Sequence, residues 1–214
     1  MRRGRRAPRV TGDDRERAIL AAAQRLLEEK PLQEISIEDL TQAVGISRPA
    51  FYFYFASKDA VVLTLLDRMV DASFAAVEEK VAAAEGDPVE RWRSAIQAAF
   101  RTFSEHRTVV HAAAQLKAGN PEIQRLWTSI LERWVHRTMN AIEAERQRGA
   151  APAGLPARQL AVALNLMSER AMTAISTGEQ PTLPEAELVD ILTQVWVNAI
   201  YLTPTPQRYG QAAK

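Results

Sequence analysis

The chain has 214 residues, 47% hydrophobic and 25% charged, the proportions of a globular protein able to bury a sizeable core. It contains no cysteine, which excludes disulfides, thiolate metal sites and a cysteine nucleophile. The net charge of +1 is unevenly spread: residues 1–10 hold five arginines and no acid, residues 11–60 six Lys/Arg against nine Asp/Glu, and the rest sixteen against seventeen. No apolar run follows the basic start, and no stretch approaches the roughly 20 apolar residues of a membrane helix, so a cytoplasmic protein with no membrane partner is expected.

Hydrophobic periodicity predicts an all-α fold of about nine helices and no strand. The segment DDRERAILAAAQRLLEEK sets Ile19, Leu20, Ala23, Leu26 and Leu27 at helical spacing, with Asp13 and Asp14 where the helix dipole favours acids, and Pro31 ends it. SIEDLTQAVG begins with Ser36 as N-cap and stops at Gly45. Ser47 then caps a third short helix, whose first turn tolerates Pro49 because that position needs no backbone donor. A long helix starts from Ser57 and is broken by GDP at 86–88. Further periodic segments cover 88–105, 107–117, 121–148, 156–177 and 185–202, punctuated by GNP, GAAPAGLP and GEQPTLP. The expected organisation is a basic disordered arm over 1–12, a helix-turn-helix domain over 13–56, a larger helical domain over 57–203 and a disordered tail over 204–214.

The run FYFYF at 51–55 is the most unusual stretch. As a strand it would follow Pro49 and have nothing to pair with. As a helix, at about 100° per residue, Phe51 and Phe55 lie about 40° apart and share a core face, whereas Phe53 lies about 200° from Phe51 and points away. Pro49 and Ala50 share the outward side, with Tyr52 and Tyr54 on its edges. Such a face suits a DNA groove, since thymine methyls take apolar contacts and phenols donate to phosphates at the rim. Helix, glycine turn, helix is the helix-turn-helix layout, with the third helix as reader.

The segment GISRPAFYFYFASKDAV resembles the helix-turn-helix of TetR-type repressors: glycine, apolar residue, serine, then tyrosine, one residue, tyrosine or histidine, phenylalanine, two residues, lysine. RGAAPAGLPARQLAVALNLMSER and GEQPTLPEAE extend the resemblance, towards a mycobacterial branch that represses an ethionamide-activating monooxygenase. It implies a repressor that binds double-stranded operator DNA as a homodimer, and a monooxygenase gene nearby. Tyr52, Tyr54 and Lys58 take the family's DNA-contacting positions, and Ser47, Arg48, Pro49 and Phe53 belong to the same groove-facing element. The arginines of the arm are expected on phosphate as well, because the acidic balance of residues 11–60 leaves that domain few cations.

All four tryptophans lie beyond the reader. Trp127, Leu131, Trp134 and Thr138 form one helical stripe, and Trp92, Ile96, Ala99 and Phe103 another. Core packing alone would account for both, but Thr138 and Asn165 put polar groups into apolar stripes, as a pocket with a few orienting groups does. The resemblance implies an elongated apolar cavity for a lipophilic effector, lined by Trp92, Ala99, Phe103, Trp127, Leu131, Trp134, Thr138, Asn165, Ser168 and Trp196. Ala99 and Ser168 depart from the branch pattern of phenylalanine and asparagine, which implies a different ligand shape and anchoring. The last two long helices, with Leu160, Leu164, Met167 and Ala171, then Leu188, Leu192, Val195 and Ala199, take the place of the family's dimer-forming pair.

No enzymatic motif, catalytic residue, cofactor or metal site is expected: His106, His111 and His136 are the only histidines, and neither HExxH, a P-loop nor a nucleophile elbow occurs. The alternative reading is a helical lipophile-binding protein without specific DNA recognition.

Overall fold

The computed structural model describes residues 12–84 and 86–203, so the arginine-rich start and the last residues, for which an arm and a tail are expected, lie outside the described residues. Among these, the chain is helical, with no strand. It divides into two compact units, one ending at Leu65 and one beginning at Leu66.

The first unit contains α1 (Gly12–Glu29), a single 3-10 turn (Leu32–Glu34), α2 (Ile37–Val44), α3 (Arg48–Tyr54) and the opening of α4 (Lys58–Ala83). Asp13 and Asp14 stand in the first turn of α1. Its buried face carries Ile19, Leu20, Ala22, Ala23 and Leu27, and it packs on α2. Between α2 and α3 the turn is local chemistry. Gly45 adopts φ 71°, a left-handed conformation that costs a side-chain-bearing residue about 1–2 kcal/mol. Ser47 Oγ then accepts the backbone N–H of Ala50, and Pro49 sits in the first turn of α3. This compact unit ends at Leu65, within α4, whose first turns bury Val61, Val62 and Leu65.

At the start of α2 the Ser36 hydroxyl accepts the Asp39 backbone N–H while Asp39 Oδ2 accepts the Ser36 backbone N–H at 2.8 Å, a reciprocal capping box. Lys30 Nζ donates to the same carboxylate oxygen at 2.8 Å. That hydrogen bond first, and then those with Ser36, hold the Asp39 carboxyl at about 2, down from 3.8. A depressed carboxyl pKa contributes stability above its unfolded value and loses it as the acid form is reached. The melting temperature of the wild type should therefore fall as pH drops from 3.8 to about 2, and calorimetry should find that component absent from Asp39→Asn.

The second unit holds the remainder of α4, then α5 (Pro88–Glu105), α6 (Arg107–Lys117), α7 (Pro121–Gln147), α8 (Ala157–Thr177) and α9 (Leu188–Tyr201). Side-chain caps start two of them: Asp87 accepts Val89 N–H, and Asn120 accepts the N–H groups of Glu122 and Ile123, each just ahead of a first-turn proline. The region expected to be helical from 185 opens with a separate 3-10 turn, Glu185–Glu187. Helix α7 packs on α8, α5 on α9, and α6 on α8. Within this unit α4 meets α7 through Phe74, whose ring stacks on Trp134 at 3.9 Å and 13°, and through ion pairs Asp71–Arg133 and Glu78–Arg137.

The apolar residues expected on the broad faces of α8 and α9 differ in burial within the single chain. Leu160, Leu164, Leu188 and Leu192 are buried in the unit's own core, and Met167, Ala171 and Ala199 are half-buried against it. The exposed large apolar side chains of the pair are Leu166 and Val195.

Candidate nucleic-acid interface and cavity

Helix α3 separates its aromatic residues by face. Phe51 is 0% exposed and Phe55 6%, with ring centroids 6.1 Å apart, while Phe53 between them is 82% exposed. Tyr52 is 45% exposed and Tyr54 half-buried, its ring edge-on to Phe53 at 5.1 Å. Ser47, Arg48 and Pro49 are exposed at the start of the helix. The Arg48 guanidinium lies 5.9 Å from the centre of the Tyr52 ring, and its hydrogen bond to Tyr52 raises its pKa further, so this cation is permanent. One short helix thus presents an uncovered phenyl ring, an arginine and phenol groups. That combination answers the apolar methyls, acceptors and flanking phosphates of a DNA major groove.

Lys58 stands differently. Its ammonium donates to the carbonyls of Leu32 and Ile35, at 2.8 and 3.0 Å, and so ties α4 to the end of the 3-10 turn. Two of its three donors are engaged in the fold, which leaves one for a phosphate.

In the second unit a cavity of about 80 Å³, measured by where the centre of a water molecule can move, is walled by α4, α5, α6, α7, α8 and α9. The structure brings together on its walls all ten residues singled out from the sequence: Trp92, Ala99, Phe103, Trp127, Leu131, Trp134, Thr138, Asn165, Ser168 and Trp196. Sequence reasoning missed the wall from α4, formed by Leu66, Met69 and Val70, and the two charged lining residues, Arg137 and Glu169.

Three of the four indoles satisfy their N–H groups. Trp92 donates to the Tyr201 hydroxyl at 3.1 Å, which itself donates to buried Glu145 at 2.7 Å. Trp196 donates to Ser168 at 3.0 Å and Trp127 to Glu169 at 3.0 Å. These bonds fix the rings, so the wall is preorganised. Asn165 donates to Ala161 O at 2.8 Å and to Thr138 Oγ1 at 3.0 Å. A backbone carbonyl only accepts, which settles the orientation of the Asn165 amide and leaves its oxygen as the acceptor. The lining is otherwise apolar, the character of a site for a lipophilic molecule oriented by a few polar groups. Among the described residues no group of acidic or histidine side chains is placed to hold a metal, and no helix is long and apolar enough to cross a membrane.

Residues 19–65 match the family model of bacterial regulatory proteins of the tetR family, and residues 92–202 match the C-terminal domain of the transcriptional regulator EthR. The chain therefore belongs to the TetR family of helix-turn-helix, DNA-binding transcriptional regulators, which are not enzymes. It is similar to the HTH-type transcriptional regulator EthR of Mycobacterium tuberculosis H37Rv, with 49% identity over 200 residues and 93% of each chain covered. It is also similar to EthR of Mycolicibacterium smegmatis, with 44% identity over 94% of this chain and 93% of that one. The fold resembles a crystal structure from Syntrophomonas wolfei described as a TetR-family regulator, with TM-score 0.72, 16% identity, and 89% and 96% coverage.

Proposed function

We propose that the protein is a repressor that binds a palindromic operator as a homodimer and leaves it when a lipophilic small molecule fills the aromatic cavity. The observation that carries this reading is Phe53, 82% exposed between two buried phenylalanines on a helix that a family of DNA-binding regulators uses as reader. A phenyl ring in water on a fixed helix is accounted for by a partner surface, to which Pro49 adds apolar area, and Ser47, Arg48, Tyr52, Tyr54 and the remaining donor of Lys58 supply the polar contacts around it. The cavity supports the second half: α4 lines it with Leu66, Met69 and Val70 and is also the helix that follows the reader in the chain. A ligand that displaces α4 tilts a helix shared by both units. In a dimer, such a tilt changes the separation of two readers that must meet grooves about 34 Å apart. Exposed Leu166 and Val195 on α8 and α9 supply an apolar face for the dimer.

Fluorescence anisotropy of a labelled fragment of the gene's own upstream DNA tests the reading. Saturable binding that resists excess unrelated DNA and weakens on adding a long-chain alcohol is expected. Weak, sequence-indifferent binding that vanishes with salt would instead indicate a lipophile carrier without specific recognition. Charging the proposed interface separates assembly from folding. Leu166→Glu combined with Val195→Glu should shift the sedimentation coefficient from dimer to monomer and abolish operator binding, while the helical circular dichroism stays as in the wild type, since both side chains are already exposed.

A further inference from the structure

The cavity wall carries two charged side chains, and they are not equivalent. Arg137 Nε donates to Glu78 Oε1 at 2.6 Å, so its charge is balanced within the protein. Glu169 has no such partner. Its Oε1 accepts the Trp127 indole N–H at 3.0 Å and the Thr173 hydroxyl at 3.3 Å, and no cation among the described residues lies within ion-pair distance of it. Arg170 pairs with Glu179, and the Lys117 ammonium, which forms no ion pair with Glu169, lies over the ring of the same Trp127, 4.3 Å from its centre. The carboxylate is therefore held in place by two donors on one oxygen, with the other oxygen open.

Glu169 is half-buried on the cavity wall, where water can reach its carboxylate. An apolar molecule that fills the cavity removes that water. A neutral ligand then leaves a carboxylate partly desolvated and without a counter-ion, which is unfavourable, whereas an ammonium replaces the lost water with a charge-assisted hydrogen bond. The geometry points to Glu169 as the residue that selects, among apolar molecules fitting this cavity, those ending in a protonated amine. This rests on the reading of the cavity as the effector site and adds the chemical class of the effector. The apolar body lies against α7, where the eleven steps from Trp127 to Thr138 rise about 16 Å. Its cationic end sits by Trp127, between the open carboxylate oxygen and the indole rim.

Isothermal titration calorimetry of the purified full chain with decylamine, decanol and decanoate, each below its micelle-forming concentration at neutral pH, tests it. The wild type should bind decylamine about tenfold or more tighter than decanol, the size of one charge-assisted contact, and decanoate most weakly. Glu169→Gln keeps the acceptor for Trp127 and Thr173 but removes the charge, so it should erase the preference for the amine and raise decanol affinity, since no charge is then desolvated. Equal affinities for amine and alcohol in the wild type overturn the assignment without any variant, and a preference that survives in Glu169→Gln overturns it too. In both cases binding of decanol still upholds the effector cavity. Failure of all three probes to bind removes the cavity reading and this one with it.

Discussion

Phe55→Ala should cost the protein about 3 to 5 kcal/mol of stability, whereas Phe53→Ala, two residues away in the same run, should cost almost none. The contrast follows from burial: the Phe55 ring is 6% exposed and rests against Phe51, while Phe53 is 82% exposed. Truncating the first leaves a cavity in a small unit built from three helices and the opening of α4, a unit with little core to lose. Truncating the second removes a ring already in water. For operator affinity the order should reverse among molecules that remain folded: Phe53→Ala should lose about 1 to 3 kcal/mol of binding, as one specific groove contact does. Thermal melts and anisotropy titrations on both variants check the pair. A large drop in the melting temperature of Phe53→Ala would show that the ring packs on the protein.

Ala99→Trp should reproduce the ligand-bound state without ligand. Ala99 is half-buried on α5 and lines the cavity beside Trp92 and Phe103, so an indole built from its Cβ has free volume to enter. Filling that volume adds contacts and should raise the melting temperature, abolish calorimetric binding of apolar ligands and weaken operator binding. A ligand lowers operator affinity only by its preference for the mismatched arrangement. Couplings of that kind amount to about 1 to 3 kcal/mol, so a loss of between about 5-fold and 150-fold is expected with no DNA-facing residue altered. If the added ring instead lowers the melting temperature and ligands still bind, it has been forced into packed core, and the free volume lies elsewhere on the wall.

The reader helix was legible because its signals are local. Gly45, Ser47 and Pro49 mark a turn and a helix start by conformational preference alone, and the phase of Phe51, Phe53 and Phe55 separates core from surface wherever the rest of the chain lies. The aromatic stripes were legible too, since tryptophan spacing on α5 and α7 shows which residues share a face. What stayed hidden depends on neighbours distant in sequence. Glu169 reads as a solvated charge until Trp127, 42 residues earlier, donates to it. Lys58 reads as a free cation until the carbonyls of Leu32 and Ile35 take its donors. On α8 and α9 most positions are apolar or small, so periodicity does not distinguish buried Leu160 from exposed Leu166.

All four tryptophans of the chain line the cavity, and none lies in the unit that carries the reader. The protein is thus spectrally partitioned: its ultraviolet emission excited at the red edge of the indole band comes from one chamber only. Quenching or a blue shift on adding a candidate effector reports occupancy without any label. No indole lies in the unit that carries α3, so a change in emission on adding operator is expected to report a change within the second unit.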